Sequence, residues 1–381
     1  MDWITQALLA ASLTAAWSRF YEIRLVALTG VVGGLIPYLE WLYLWSRAPG
    51  IRYDAHYGPT FSLLFIPFGA LLCASIIFLV RRILESEPVR RWKEQHQPRT
   101  GSGRVLVSRQ FELYRDTDVP PVGPPLIFPR LYTFSLLALL VPGLFQALHT
   151  RGSHLLWPVN ADAVAWSVFH RFDPLIFLLL AAGLIGALWI RDKKPARWGI
   201  LAFLAYVALA AFQRERAESA LLNHAQTEAI PVQQLLAAPT WANINLKRGL
   251  IRTPDGRIHT MAVNLPVIGR ARVYPGPTFE PESTTGRFGL IRQDPAARQI
   301  RAFENACQEW VALRESGNGF DLIDLRLSPL PNSALPRAAL RIEPPVRARS
   351  RFPLHKHSLE GEGQRLAFFR MWMGQDLPES D

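Results

Sequence analysis

Glu40 lies in "GGLIPYLEW", an acid in an apolar run three residues past a proline, and His56 opens "HYGPTFSLLF" just ahead of the next apolar run, with Asp54 close before it. His149 and His154 follow in "LFQALHTRGSHLLWPVN", crowded by Gln146, Arg151 and Ser153. Neutral imidazole is the commonest protein metal ligand, and imidazoles mixed with carboxylates suit a divalent ion such as Zn or Mn. A bound ion of that kind lowers the pKa of its water toward neutrality and supplies a hydrolytic nucleophile. Glu40 and His56 are therefore the candidate metal ligands, and His149 and His154 the substitutes that could complete the set. Each also has a plainer reading. Glu40 could pair with an arginine or sit at the membrane interface, and a histidine alone in a loop is ordinarily a solvated one.

Other chemistries have weaker support. His149 and Ser153 are one helical turn apart, which suits activation of a hydroxyl nucleophile. Gly152, however, ends a helix there, and no acid stands in place to orient the base. In "ADAVAWSVFHRFDPLIF", which also carries Asp162 and His170, Asp173 followed by Pro174 predicts a helix start, the acid as cap and the proline in the first turn. The chain holds two cysteines, and Cys73 falls inside an apolar run, so no internal disulfide and no finger-type zinc site is expected.

The elements that must position these residues are mostly membrane helices. Hydrophobic residues make up 49% of the 381, and they crowd into the first 212. Apolar segments fall at about 4–17, 24–46, 60–80, 131–149, 174–190 and 198–212. A span needs about 20 mostly apolar residues, so the short first and last segments leave four to six spans, either of them free to lie flat or re-enter. The opening "MDWITQALLAA" has an acid at Asp2 and no basic flank, which argues against a cleaved signal peptide.

The net charge of +11 is spent on topology rather than on nucleic acid. Arg81, Arg82, Arg90, Arg91 and Lys93 follow the third segment and Lys194 lies between the fifth and sixth, marking cytoplasmic loops that also suit anionic lipid. If the sixth segment spans, the remainder of the chain lies outside; if it lies flat, that remainder is cytoplasmic. No nucleic-acid motif accompanies the charge.

A polar loop at about 81–130 ends in the proline-rich "DVPPVGPPLIFPR". Beyond Gln213 no run is long enough to span, and residues 213–381 predict a small α+β domain following the membrane domain of 1–212. "RERAESALLNHAQ" has Ala217, Leu221 and Ala225 at helical spacing, and the alternation around Asp255-Gly256 predicts a hairpin. "FDLIDLRL" predicts a strand, "ARQIRAFENACQEWVALRES" an amphipathic helix, and "EPPVRARSRFPLHKHS" a surface loop. The two hydrophobic sets differ in spacing and in polar residues, so no inverted repeat is expected.

Taken in order, "MDWITQALLAA", "GGLIPYLEWL", "HYGPTFSLLF", "RGSHLLWPVN" and "AWSVFHRFDPLIFLLL" resemble the membrane-bound metal-dependent hydrolases, also described as LexA-binding inner-membrane hydrolases. The resemblance covers residues 1 to about 250. It implies a metal held by two aspartates, two histidines and a later histidine and aspartate. At those positions this chain has Tyr38 and Glu40, His56 and Phe61, and Pro142 and Gln146, and Arg151 replaces a tyrosine before Gly152. Only Glu40 and His56 remain able to ligate, where a catalytic site usually needs three protein ligands. The expectation is a multi-pass inner-membrane protein whose degraded metal site leaves it a binding or scaffold role, with a possible protein partner at the C-terminal domain. The alternatives are an active hydrolase using metal-bound water, with His149 or His154 recruited, and a small transporter.

Overall fold

In the computed structural model the chain is described over residues 2–19, 22–54, 58–84, 127–170, 172–281, 284–356, 358–359 and 361–377. His56, Arg90, Arg91, Lys93 and most of the expected polar loop lie outside the described residues.

The first part is a helical bundle: α1 (Asp2–Trp17), α2 (Ile23–Leu35), a 3-10 turn (Ile36–Leu39), α3 (Glu40–Leu44), α4 (Pro49–Asp54), a second 3-10 turn (Pro59–Phe61), α5 (Ile66–Leu84), α6 (Phe128–Ala147), α7 (Pro174–Ile190) and α8 (Lys194–Thr227). Four described helical stretches are long and apolar enough to cross a membrane: Ile23–Leu44, Leu63–Ile83, Phe128–Ala147 and Lys194–Thr227. Large side chains such as Phe68, Leu79, Trp189, Trp198 and Leu204 point outward, as a lipid solvent requires.

α1 is part of the bundle. It packs against α2, α6, α7 and α8, and Ala10, Ala11, Ala15, Ser12 and Gln6 are wholly buried. Lipid tails give no hydrophobic drive for helices to pair, so close packing of small residues must supply it. Gly30 and Gly34 of α2 provide that surface: a Cβ at Gly34 would sit 3.0 Å from the Cα of Ala7.

The sixth apolar segment is the beginning of α8, 34 residues long, which continues without a break past residue 212. Its far end carries Ala217, Leu221 and Ala225 into a core with Ala237, Ile251, Met261 and Val263. Those residues belong to an antiparallel meander, β1 (Gln234–Pro239), β2 (Leu246–Arg252), β3 (Ile258–Asn264) and β4 (Arg272–Phe279), with the predicted hairpin turn at Gly256, whose φ is +86°. After α9 (Thr284–Arg287) and α10 (Pro295–Ala306) comes a second sheet in the order β5 (Val311–Ser316), β6 (Gly319–Asp324), β7 (Ala338–Ile342) and β8 (Leu354–Lys356); α11 (Glu362–Trp372) closes the chain.

Two local expectations need correction. The predicted long helix stops at Ala306, because Gln308 and Glu309 both adopt positive φ, 50° and 65°, and Val311–Ser316 becomes β5. Helical propensity across that stretch loses to pairing with β6. The segment expected as a surface loop gives three residues to β8, bonded along the edge of β7.

Basic residues at and just beyond the C-terminal ends of α5 and α7 gather at one end of the bundle. Arg130 pairs with Glu22 at 2.8 Å, Arg197 donates to the Ala16 carbonyl at the end of α1, and Phe78 touches Phe128, so residues 16–19, 22–24, 78–84, 128–130 and 191–197 share one end. Arg24, Arg81, Arg82, Arg191, Lys193 and Lys194 stand there too. The C-terminal domain sits at the other end, where α4 packs against α10 and Tyr53 enters the domain's core beside Ile300 and Phe303. Gly50 permits that approach, since a Cβ there would fall 2.5 Å from the Gln299 carbonyl oxygen.

Candidate functional site

Pro37 converts the end of α2 into a 3-10 turn, and the redirected chain places Glu40 at the start of α3 with 8% exposure. Its carboxylate accepts a bond from the Gly58 amide at 3.1 Å and has the Thr60 hydroxyl 2.5 Å from its second oxygen. A buried carboxylate is tolerated only with such partners. His154 lies within electrostatic reach of Glu40 and lines, with Gly58, a cavity of about 710 Å3 that also meets Arg151, Asp162 and Glu309. Glu40 and His154 are thus brought to one neighbourhood.

Three positions of the resembled metal motif, Tyr38, Phe61 and Gln146, also converge, but on different chemistry. Phe61 is 3% exposed and stands edge-on to Tyr38, ring centroids 5.4 Å apart at 86°. Gln146 Nε2 donates to the Tyr38 hydroxyl at 3.4 Å. α6 fits against the second 3-10 turn only because residue 143 is glycine, whose Cβ would fall 2.4 Å from the Phe61 carbonyl oxygen. An edge-to-face aromatic pair is worth about 0.5–1.5 kcal/mol beyond the area it buries.

His149 belongs to another setting. Its Nδ1 lies 2.8 Å from the Phe145 carbonyl, which makes that nitrogen the donor, and its ring is held between Phe145 and Phe169 at 4.9 and 4.8 Å. Ser153 is wholly buried, donates to the Gly143 carbonyl at 2.8 Å and pairs its backbone with Val164, so it is a structural hydroxyl. Asp173 caps α7 as expected, accepting from the amides of Leu175 and Ile176, and its other oxygen accepts from the Tyr206 hydroxyl at 2.6 Å.

Among the described residues, no group of three or more His, Cys, Asp and Glu side chains could hold a metal ion. Glu40 already uses both oxygens, and Tyr38, Phe61 and Gln146 bring an aromatic and amide lining where ligands are needed. The described residues do not fit the divalent ion that the resemblance implies.

Tyr53, Asp324, Arg326 and Lys247, which the motif reading did not single out, organise this end of the molecule together with Arg151. Arg151 donates to the Tyr53 carbonyl at 2.6 Å, and its guanidinium lies 3.9 Å from the centre of the Tyr53 ring. The Tyr53 hydroxyl donates to Asp324 at 2.9 Å, and Asp324 pairs with Arg326, neither side chain exposed at all. The available signal in "FDLIDLRL" was an acid with a base two residues on, and the structure places Arg326 in the turn just past β6, where its amide also donates to Asp324 at 3.0 Å. Lys247 is wholly buried at the same junction, donating to the Val168 carbonyl at 3.2 Å; burial, then the Arg214 charge, push its ammonium down to about 7 against the opposing pull of Asp173.

The model of the family described as YdjM inner membrane protein matches residues 1–217. No curated protein and no solved structure matches the chain.

Proposed function

The chain belongs to the YdjM inner membrane protein family, and from that premise we propose that it is a membrane-anchored binding or scaffold protein in which metal-dependent hydrolysis is lost or weakened. The observation that carries this reading is Phe61, buried edge-on against Tyr38 with Gln146 bonded to the same tyrosine. Aromatic and amide side chains fill the space where hydrolysis would need ligands and an open coordination position. What remains is a rigid helical platform with a domain docked on it, the form of a protein that presents a surface.

Mass-spectrometric metal analysis of the detergent-purified protein tests the reading. The expected result is no stoichiometric Zn or Mn in the parent chain or in the His56→Ala variant. One metal per chain, lost on His56→Ala, would overturn it and return the protein to the hydrolases.

The basic residues at and just beyond the ends of α5 and α7 give this platform a direction. Excess Lys and Arg mark the cytoplasmic side, so the C-terminal domain, at the opposite end from Arg81, Arg82, Arg191, Lys193 and Lys194, faces away from the cytoplasm. Protease added to intact spheroplasts is expected to digest the C-terminal domain. Protection that lasts until the membrane is lysed would reverse the orientation.

A further inference from the structure

The first sheet meets the bundle by one edge. Its β1–β2 loop, 240–245, and its β3–β4 loop, 265–271, lie at the same end of the strands, and the turn at Gly256 lies at the other. The height of the near end is set by α8. Gln213 Nε2 donates to Asn245 Oδ1 at 3.2 Å, and Arg216 donates to the carbonyls of Pro266 at 3.1 Å and Gly269 at 3.3 Å. Ile244 packs into the bundle core with Tyr206 and Val207 of the apolar part of α8. Leu204, Leu209 and Phe212 of that part face outward, into lipid, and Arg216 follows Phe212 by about 6 Å along the helix. Both loops therefore stand at the height where α8 leaves the hydrocarbon.

Their tips are apolar. Val267 and Ile268 are 76% and 92% exposed in "LPVIGRAR", where a turn facing water would favour polar residues. Trp241 stands exposed on the other loop. α11 adds to the same edge, because the Asn264 side chain donates to the Trp372 carbonyl at 2.7 Å and so brings the exposed Phe369, Trp372 and Met373 beside the loop after β3. Trp241, Phe369 and Trp372 line one cavity of about 510 Å3, which joins the helix to the first loop. Single exposed apolar side chains are ordinary, but a patch drawn from three elements marks a contact surface.

The position of the patch says what covers it. It continues the lipid-facing side of α8, so the bilayer that meets Phe212 also meets the loop tips. Tryptophan is enriched at headgroup depth, and an apolar tip followed by the basic Arg270 suits the same boundary. We infer that this edge of the C-terminal domain is immersed in the headgroup region of the adjacent leaflet, with Trp241, Val267, Ile268, Phe369, Trp372 and Met373 as the inserted side chains. The domain is then held to the membrane by its own surface as well as by α8. This holds whether or not the bundle carries a metal.

Power-saturation electron paramagnetic resonance on the full-length protein, one chain per phosphatidylcholine–phosphatidylglycerol nanodisc, is the test. A nitroxide is attached at Ile268→Cys, at Met373→Cys or, as the control, at Asp255→Cys beside the far turn, about 20 Å away along β2. These sites are on the surface, and Cys73 and Cys307 are buried, with the parent chain giving their background. Labels at Ile268 and Met373 are expected to collide with oxygen in preference to a water-soluble nickel chelate, at a depth of about 5–10 Å inside the headgroup boundary. The label at Asp255 is expected to prefer nickel. Nickel access at Ile268 and Met373 equal to that at Asp255 would overturn the inference, since the edge would then stand in water. Shielding of both labels from oxygen and nickel alike would also overturn it, in favour of a protein contact.

Discussion

Asp324→Ala is expected to destabilise the folded chain by about 3–5 kcal/mol, the range for breaking a buried ion pair from one side. Asp324 ends β6, and its carboxylate meets Arg326 at 3.0 Å with neither side chain exposed. Arg326 in turn donates to the carbonyls of Ala306 at 2.7 Å and Thr150 at 3.4 Å, which ties the second sheet to the loop after α6. Alanine leaves that guanidinium buried without a counter-charge and removes the acceptor of the Tyr53 hydroxyl. The loss therefore falls on the joint between the domain and the bundle as well as on the domain itself. Thermal and urea unfolding of the purified protein, followed by tryptophan fluorescence, checks the size; a loss under about 1 kcal/mol would reduce the pair to the worth of a surface salt bridge. Replacing both partners, Asp324→Ala with Arg326→Met, is expected to recover a large part of the loss, because no lone charge is left buried.

The same pair has a pH signature. Burial raises the Asp324 pKa, but the Arg326 charge, the Arg326 hydrogen bonds and the Tyr53 hydroxyl together outweigh burial and hold the carboxyl below the usual carboxylate range. Above the unfolded-state value of about 4 the contribution is complete, and it is lost as pH falls through the lower folded-state value. The Asp324→Ala variant is expected to show less acid-side loss than its parent over that window.

The apolar segments were legible because a span is long and its signal is local. The continuation of α8 was half-legible: Ala217, Leu221 and Ala225 showed the helix, but falling hydropathy after residue 212 disguised its unity with the membrane segment. One periodic pattern simply changed solvent, from lipid to a protein core. The turn at Gln308 and Glu309 was hidden because neither residue type favours positive φ, and only pairing with β6 makes the conformation worthwhile. For the site, the order of motifs pointed to Tyr38, Glu40, Phe61 and Gln146, while their assembly could not be read from spacing. The Gln146 bond to Tyr38 spans 108 residues and the Tyr53 bond to Asp324 spans 271, and no periodicity encodes such separations. His149 stood beside His154 in sequence, yet its Nδ1 bond to Phe145 turns it along α6, into an aromatic setting of its own.

Gly30→Leu is expected to cost more than about 3 kcal/mol, above the usual range of about 1–3 kcal/mol for overpacking. A Cβ at Gly30 would stand 2.4 Å from Thr14 Oγ1, 2.5 Å from the Ala11 Cα and 2.7 Å from the Ala10 carbonyl oxygen. Two of those three atoms are backbone of α1. The third is a hydroxyl within 3.0 Å of the carbonyls of both Ala10 and Ala11, so it has little freedom to move aside. Relief must come from moving α1 as a body, and α1 touches α2, α6, α7 and α8 together. Separating it exposes the wholly buried Gln6 and Ser12 to hydrocarbon, where polar groups are penalised, so the strain spreads beyond one helix pair. Fluorescence-detected gel filtration is expected to show most of the variant aggregated, and any monodisperse fraction to melt well below the parent. Gly363→Leu in α11 is the matched control, because nothing lies within 4 Å of its Cβ position and leucine has the better helix propensity. If Gly30→Leu melts with the parent while Gly363→Leu does too, small-residue contact between α1 and α2 is not what holds the bundle together.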